Sequence, residues 1–255
     1  MLLERRSKKS RCLRVKPGAM TGNCDLNIVL HLNALVPAHD LGARLLYAAG
    51  ANFYVRGIPV FVPLVALWFA PRTDNRRGRM MVGMLAAALA TIISVWLQYV
   101  LLLHIRPFLD PALHLRSMDG LQDLAHRWDR QGSFPSDTAT LFFAVSTVVF
   151  LESRLAGSIA ILWSLLTVGL VRVAFGFHYP SDIAGSFILG PGTVILLTRV
   201  RHFTDWTNQW LQRREPRINV VHAVFFLFAA DAAHLFTGLE SILKGMRAVM
   251  HVVVR

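Results

Sequence analysis

From Met80 to His104 the chain runs for 25 residues without one charged side chain. About 20 apolar residues suffice to cross the hydrocarbon core of a bilayer. No water is available there, so a chain crossing it must satisfy its own backbone N–H and C=O groups. Continuous apolar runs do this as helices. Further runs follow at 50–70, 138–152, 156–174, 182–198 and 219–239. Composition agrees. The chain is 54% hydrophobic and 16% charged, with mean hydropathy +0.46, whereas a soluble domain carries about a quarter of its residues as charges. The expected fold is all-α: a polytopic membrane bundle of about six spanning helices, or seven if residues 26–49 also span.

Those residues are amphipathic, with His31, His39, Asp40 and Arg44 among Leu, Val and Ala. They read as a poor span or an interfacial helix. A hairpin is expected around Glu152-Ser-Arg154, and Gly185, Gly190 and Gly192 are expected to let helices approach closely. Residues 1–25 read as a basic cytoplasmic tail and 26–200 as the main membrane domain. Residues 201–255 read as a basic loop, an extra span carrying Asp231 and His234, and an amphipathic tail.

The net charge of +12 is not a nucleic-acid footprint, because its basic blocks lack interleaved stacking aromatics. It is concentrated in the tail, in Arg72, Arg76, Arg77 and Arg79, and in Arg199, Arg201, Arg213, Arg214 and Arg217. Basic loops between apolar runs mark the cytoplasmic side. With 71–79 and 199–218 inside, residues 105–137 and the 172–182 segment both fall outside. Cys12 and Cys24 have neither CxxC spacing nor a nearby His cluster, so no zinc site is expected. The first 20 residues lack the apolar core of a signal peptide.

Three polar clusters then share the outer face. His104-Ile-Arg106-Pro107 ends the longest run, where Pro107 stops the helix. Gly132-Ser-Phe-Pro-Ser-Asp-Thr138 precedes a run. Ser136 and Asp137 have helix-cap chemistry there, and a helix N-terminus also attracts anions. The third cluster is Arg172, five residues, His178, three residues and Asp182. Ionisable groups at a membrane span are costly and usually functional. An Asp beside a His can orient the imidazole and stabilise its cation.

Together these clusters resemble the phosphatidic acid phosphatase type 2 superfamily over roughly residues 95–185. Its pattern is Lys, six residues and Arg-Pro; then Pro-Ser-Gly-His; then Ser-Arg, five residues, His, three residues and Asp. The resemblance implies a membrane helical bundle and a phosphohistidine mechanism. It makes His178 the nucleophile and Asp182 its charge partner. It makes Arg106, Arg172 and Ser136 phosphate-binding, with Asp137 beside them. It implies a lipid phosphate or diphosphate substrate among membrane lipids, without cofactor or metal. It also implies a bacterial inner membrane with the site facing outward.

The sequence departs from that pattern at four positions. Tyr99 stands in place of the Lys, Asp137 of the Gly, Thr138 of the second His and Val171 of the Ser. Thr has no useful pKa with which to protonate a leaving group, and general acid catalysis typically supplies about 100- to 10,000-fold. A monoester expels an alkoxide, whereas a diphosphate expels a phosphate that is already a stable anion. The expectation is a hydrolase biased toward lipid diphosphates, best a polyprenyl diphosphate. Asp137, His104 and His126 are the candidates for a substitute acid. The alternatives are a lipid-phosphate-binding protein without turnover and a phosphoryl transferase.

Overall fold

The computed structural model of the chain describes residues 23–70, 75–101, 103–116, 131–214 and 218–233. The 1–25 tail, His126, His234 and the C-terminal tail therefore lie wholly or largely outside the described residues. The elements are α1 (Asn23–Ala34), α2 (Asp40–Ala51), α3 (Phe53–Phe69), α4 (Arg76–Val100), α5 (Asp137–Glu152), α6 (Arg154–Ala174), α7 (Pro180–Arg199), α8 (Arg201–Arg213) and α9 (Ile218–Ala233). Among the described residues there is no strand. The molecule is an all-α membrane helical bundle, and among the described residues four stretches are long and apolar enough to cross a bilayer: Asp40–Phe69, Arg76–Val100, Arg154–Ala174 and Pro180–Arg199.

The first span is longer than the apolar run suggests, because α2 and α3 are nearly continuous. Asn52 joins them. Its N–H donates to Ala48 O at the end of α2, and its Oδ1 accepts from the N–H groups of Tyr54 and Val55 at the start of α3. Residues 26–49, read as one amphipathic segment, are instead two helices parted by a turn. α1 packs against α6 and α7.

At 16 residues α5 is short for a span, yet it forms the centre of the bundle. Every residue from Thr138 to Val149 is buried, enclosed by α3, α4, α6 and α7. Close backbone approach makes this possible. A Cβ on Gly157 would lie 2.1 Å from Phe150 Cα, which explains the tight α5–α6 hairpin. A Cβ on Gly190 would lie 2.5 Å from Thr140 O. Gly185 faces the Phe134 ring of the loop before α5 rather than a helix, and Gly192 has nothing within 4 Å, so of the three glycines Gly190 makes the expected helix contact.

The two ends of the bundle differ in chemistry. At the end read as cytoplasmic, Arg79 makes a two-pronged contact with Glu152, 3.0 Å from each oxygen, and Arg76 lies 3.4 Å away. This ties the start of α4 to the end of α5. The basic stretch after α7, read as a loop, is largely the helix α8. Its low hydropathy concealed it, but Asn208 of α8 accepts from the Gly78 N–H at 3.0 Å and so caps α4. Trp68 of α3 stacks on Phe225 of α9 at 3.7 Å. The opposite end, where α4 finishes and α5 and α7 begin, holds the polar clusters.

Candidate active site

Ser94 and Gln98 form a buried polar face on the last turns of α4. Both donate to the carbonyl of Pro135, at 3.2 and 2.6 Å. The Gly132 N–H donates to Gln98 O, and the Ser133 N–H to His104 O. These contacts draw the 131–136 loop onto α4 and so fix where α5 starts. Ser136 is the N-cap of α5, with its Oγ accepting from the Ala139 N–H at 3.4 Å. Among the described residues its hydroxyl accepts this bond and donates none.

A second turn delivers His178. The last part of α6 is π-helical over Leu165–Leu170, a distortion common at functional sites, and Arg172 follows it directly. Gly176 then adopts φ +70°, and its carbonyl accepts from the Phe108 N–H. A Cβ here would lie 2.5 Å from Leu115, so both conformation and space require glycine. Tyr179 begins α7 in a capping box. Its N–H donates to Asp182 Oδ2 at 2.8 Å, with Pro180 in the first turn. Ser186 locks α7 to α5 by donating to Ser136 O and Asp182 O.

The result is a fully buried His178 with distinct ring nitrogens. Nδ1 lies 2.8 Å from the Ser133 carbonyl and 3.5 Å from Asp182 Oδ2. A carbonyl can only accept, so Nδ1 carries the proton and Nε2 keeps its lone pair. Arg106 Nη1 lies 3.1 Å from Nε2 and donates to it. The same guanidinium reaches Phe177 O and Gln98 Oε1, at 3.3 and 3.5 Å. Burial, then the Arg106 and Arg172 cations, hold the His178 imidazole well below its ordinary pKa of 6.5. Burial also lowers Arg106 to about 10, which leaves it charged at neutral pH.

The structure thus brings Arg106 and Asp182 onto the two nitrogens of His178, and buries these three with Ser136, whose carbonyl is tied to α7 through Ser186. Asp137, in the first turn of α5, lies within electrostatic reach of Arg106 and Arg172. Thr138 is buried, with its hydroxyl 3.5 Å from Asp137 Oδ1. Tyr99 is 52% exposed, and its hydroxyl accepts from Gln131. It makes no contact with the buried cluster among the described residues.

Some participants were missed or misplaced from sequence. Gln98 and Ser94 lie in an otherwise apolar run, and their polarity was the available signal. His104, considered as an acid, sits on the Asp182 side of the site. Its Nε2 is 3.6 Å from Asp182 Oδ1 and its Nδ1 2.5 Å from Ser133 Oγ, so it buttresses the carboxylate from the side away from Nε2 of His178. Burial lowers its pKa below 6.5. Asp25 of α1 accepts from the Ser181 N–H at 3.2 Å and so caps the first turn of α7.

Comparison with known proteins agrees with this arrangement. The model of the PAP2 superfamily matches residues 79–206, about half of the chain, and covers all three clusters. The bacitracin transport permease protein BcrC of Bacillus licheniformis is 32% identical over 98 residues, 38% of this chain and 40% of that protein. The undecaprenyl-diphosphatase BcrC of Bacillus subtilis (strain 168) is 29% identical over 126 residues, 49% of this chain and 59% of that one. YbjG of Escherichia coli (strain K12) is 29% identical over 167 residues, 64% and 78% of the two chains. The match thus spans about 40 to 60% of the length of the two Bacillus relatives. No solved structure matches the chain. With the family model covering α4 to α8 and every motif residue of the buried cluster, the chain belongs to the PAP2 superfamily.

Proposed function

We propose that the protein is a membrane phosphatase that hydrolyses a lipid diphosphate, best a polyprenyl diphosphate, at the outer leaflet. The observation that carries this reading is the state of His178: its proton is held on Nδ1 by the Ser133 carbonyl, and Nε2 is left nucleophilic beside Arg106. The name of the Bacillus subtilis relative, an undecaprenyl-diphosphatase, supports the substrate class.

The chemistry follows from the geometry. Nε2 of His178 attacks the terminal phosphorus. An N–P bond forms and the bridging P–O bond breaks, with its electron pair departing on the lipid monophosphate. The phosphorylated ring is cationic, and the carboxylate of Asp182 faces its Nδ1–H side. Phosphoryl transfer depends mainly on positioning and on charge around the equatorial oxygens, which Arg106, Arg172 and the Ser136 hydroxyl supply. Water then breaks the N–P bond, releasing phosphate and restoring the ring.

The test is phosphate release from polyprenyl diphosphate by detergent-solubilised protein, wild type against His178→Ala. Loss of turnover is expected, and undiminished activity in the variant would remove His178 as nucleophile. A second reading, a lipid-phosphate-binding protein without turnover, is motivated by Thr138 and Tyr99. It predicts lipid binding by the wild type with no release of phosphate.

A further inference from the structure

Arg56 belongs to the apolar Asp40–Phe69 span and is only 9% exposed. Its Nε has no hydrogen-bond partner among the described residues. A charged side chain at membrane depth is costly and usually marks a functional site, so its surroundings matter. The helix carrying it packs against both α5 and α6. Its Cζ lies 5.5 Å from the centroid of the Phe142 ring. Phe142 is one turn beyond Thr138 on α5, on the same helix face. The Arg172 guanidinium and the Asp137 carboxylate are within its electrostatic reach.

Three arginines, Arg56, Arg106 and Arg172, lie within electrostatic reach of the one carboxylate of Asp137. This excess of positive charge, with a buried Arg56 Nε that lacks a hydrogen-bond partner among the described residues, fits a ligand with more negative charge than a single phosphate brings. The depths are also ordered. Arg106 stands at His178 Nε2, where the terminal phosphorus must sit. Phe142 is five residues along α5 from Asp137, about 7 Å further into the membrane. A lipid tail lies on that membrane side, and so does the phosphate attached to it.

We propose that Arg56 binds the tail-side phosphate of a diphosphate substrate, the group that leaves. It thereby supplies a cation that Tyr99 does not. This rests on the hydrolase reading above. When Nε2 takes the terminal phosphoryl group, the bridging oxygen keeps the bonding pair, and the added negative charge on the lipid monophosphate meets Arg56. A leaving group stabilised in this way has less need of a proton, which suits a site with Thr at 138. Arg56 lies outside the matched residues 79–206, so the family match gives it no role.

The experiment compares wild type, Arg56→Met and Arg56→Lys on polyprenyl diphosphate and polyprenyl monophosphate. It also measures thermal protection of each protein by inorganic pyrophosphate and by inorganic phosphate. Arg56→Met should lose about 100-fold in kcat/KM on the diphosphate, as when one transition-state charge contact is removed. Monophosphate turnover should change less than about 3-fold on the same scale. Arg56→Lys should recover part of the loss and shows that the site still folds. Pyrophosphate protection should fall in Arg56→Met, while phosphate protection stays. Equal losses on both lipids, or no loss on either, would overturn the assignment. If the wild type hydrolyses neither lipid, the hydrolase reading fails, and pyrophosphate protection alone decides whether Arg56 binds the second phosphate.

Discussion

Arg106 Nη1 stands 3.1 Å from His178 Nε2, the ring nitrogen that would attack phosphorus. The same cation that would bind the phosphate therefore keeps the imidazole neutral before substrate arrives. Burial acts first and Arg106 second in lowering the His178 pKa below 6.5. A lowered pKa means that the nucleophilic, neutral ring persists as the pH falls. The acid limb of kcat/KM should thus lie well below pH 6.5. In Arg106→Gln the limb should move to higher pH, and kcat/KM should fall by about 100-fold or more. A pH–rate profile from about pH 4.5 to 8 reads both effects, and an unmoved limb would mean that Arg106 does not set the protonation of the ring.

Asp182 has two separable roles. Its Oδ2 accepts from the Tyr179 N–H, a structural contact that an amide oxygen can keep. Its charge also faces His178 Nδ1 at 3.5 Å, which an amide cannot reproduce. Asp182→Asn should therefore fold, with thermal stability near that of the wild type, and lose about 100- to 10,000-fold in turnover. Loss of folding together with loss of activity would make the cap its main function.

The motif residues were legible because each sits at a fixed spacing from a helix end. Ser136, His178 and Asp182 could be placed near one another without knowing how the helices pack. Gln98, Ser133 and His104 could not, since their roles depend on the loop before α5 folding back onto α4. The contact from Gln98 to Pro135 spans 37 residues. Arg56 was hidden differently. In sequence it is a single charge inside an apolar run, and its neighbours follow only from the packing of α3 against α5 and α6. α8 escaped notice because an amphipathic, low-hydropathy helix is indistinguishable from a basic loop when apolar runs are the guide.

Two glycines on α7 should respond oppositely to alanine. A Cβ on Gly190 would press to 2.5 Å against the Thr140 carbonyl, which is backbone and cannot turn aside. Gly190→Ala should force α7 from α5 and destabilise by about 1–3 kcal/mol. Gly192 meets nothing within 4 Å, so Gly192→Ala should be neutral or stabilising by up to about 1 kcal/mol, from helix propensity alone. Thermal unfolding in one detergent distinguishes them, and like behaviour would contradict the α5–α7 contact.

Glu152 is 3% exposed and faces Arg79 and Arg76, which are 37% and 18% exposed. Removing the buried carboxylate takes away the negative charge that Arg79 and Arg76 share at the start of α4. Full burial would make this cost about 3–5 kcal/mol, and the solvent around the arginines reduces it to roughly 1–3 kcal/mol. Glu152→Gln should lower the unfolding temperature while leaving KM unchanged, because the pair lies at the opposite end of α5 from the site. A change in KM without loss of stability would show that this end is coupled to the substrate.

Thr138 is buried at the start of α5, at the position where the family pattern has its second His. Its hydroxyl cannot donate a proton to a departing alkoxide at neutral pH, whereas a departing phosphate needs little help. The wild type should therefore turn over lipid diphosphates far faster than lipid monophosphates. Thr138→His should raise monophosphate turnover by on the order of 100-fold and change diphosphate turnover little. Histidine is the larger side chain in a closed space, so Thr138→Asn serves as a control for added bulk without an acid. If Asn gave the same gain as His, the effect would be one of packing. Equal wild-type activity on both substrate classes would mean that another group already protonates the leaving oxygen. In that case His104 is badly placed for the task, because its Nε2 is directed at Asp182 Oδ1, 3.6 Å away. Asp137 would be the better candidate, beside Thr138 and within electrostatic reach of Arg106 and Arg172.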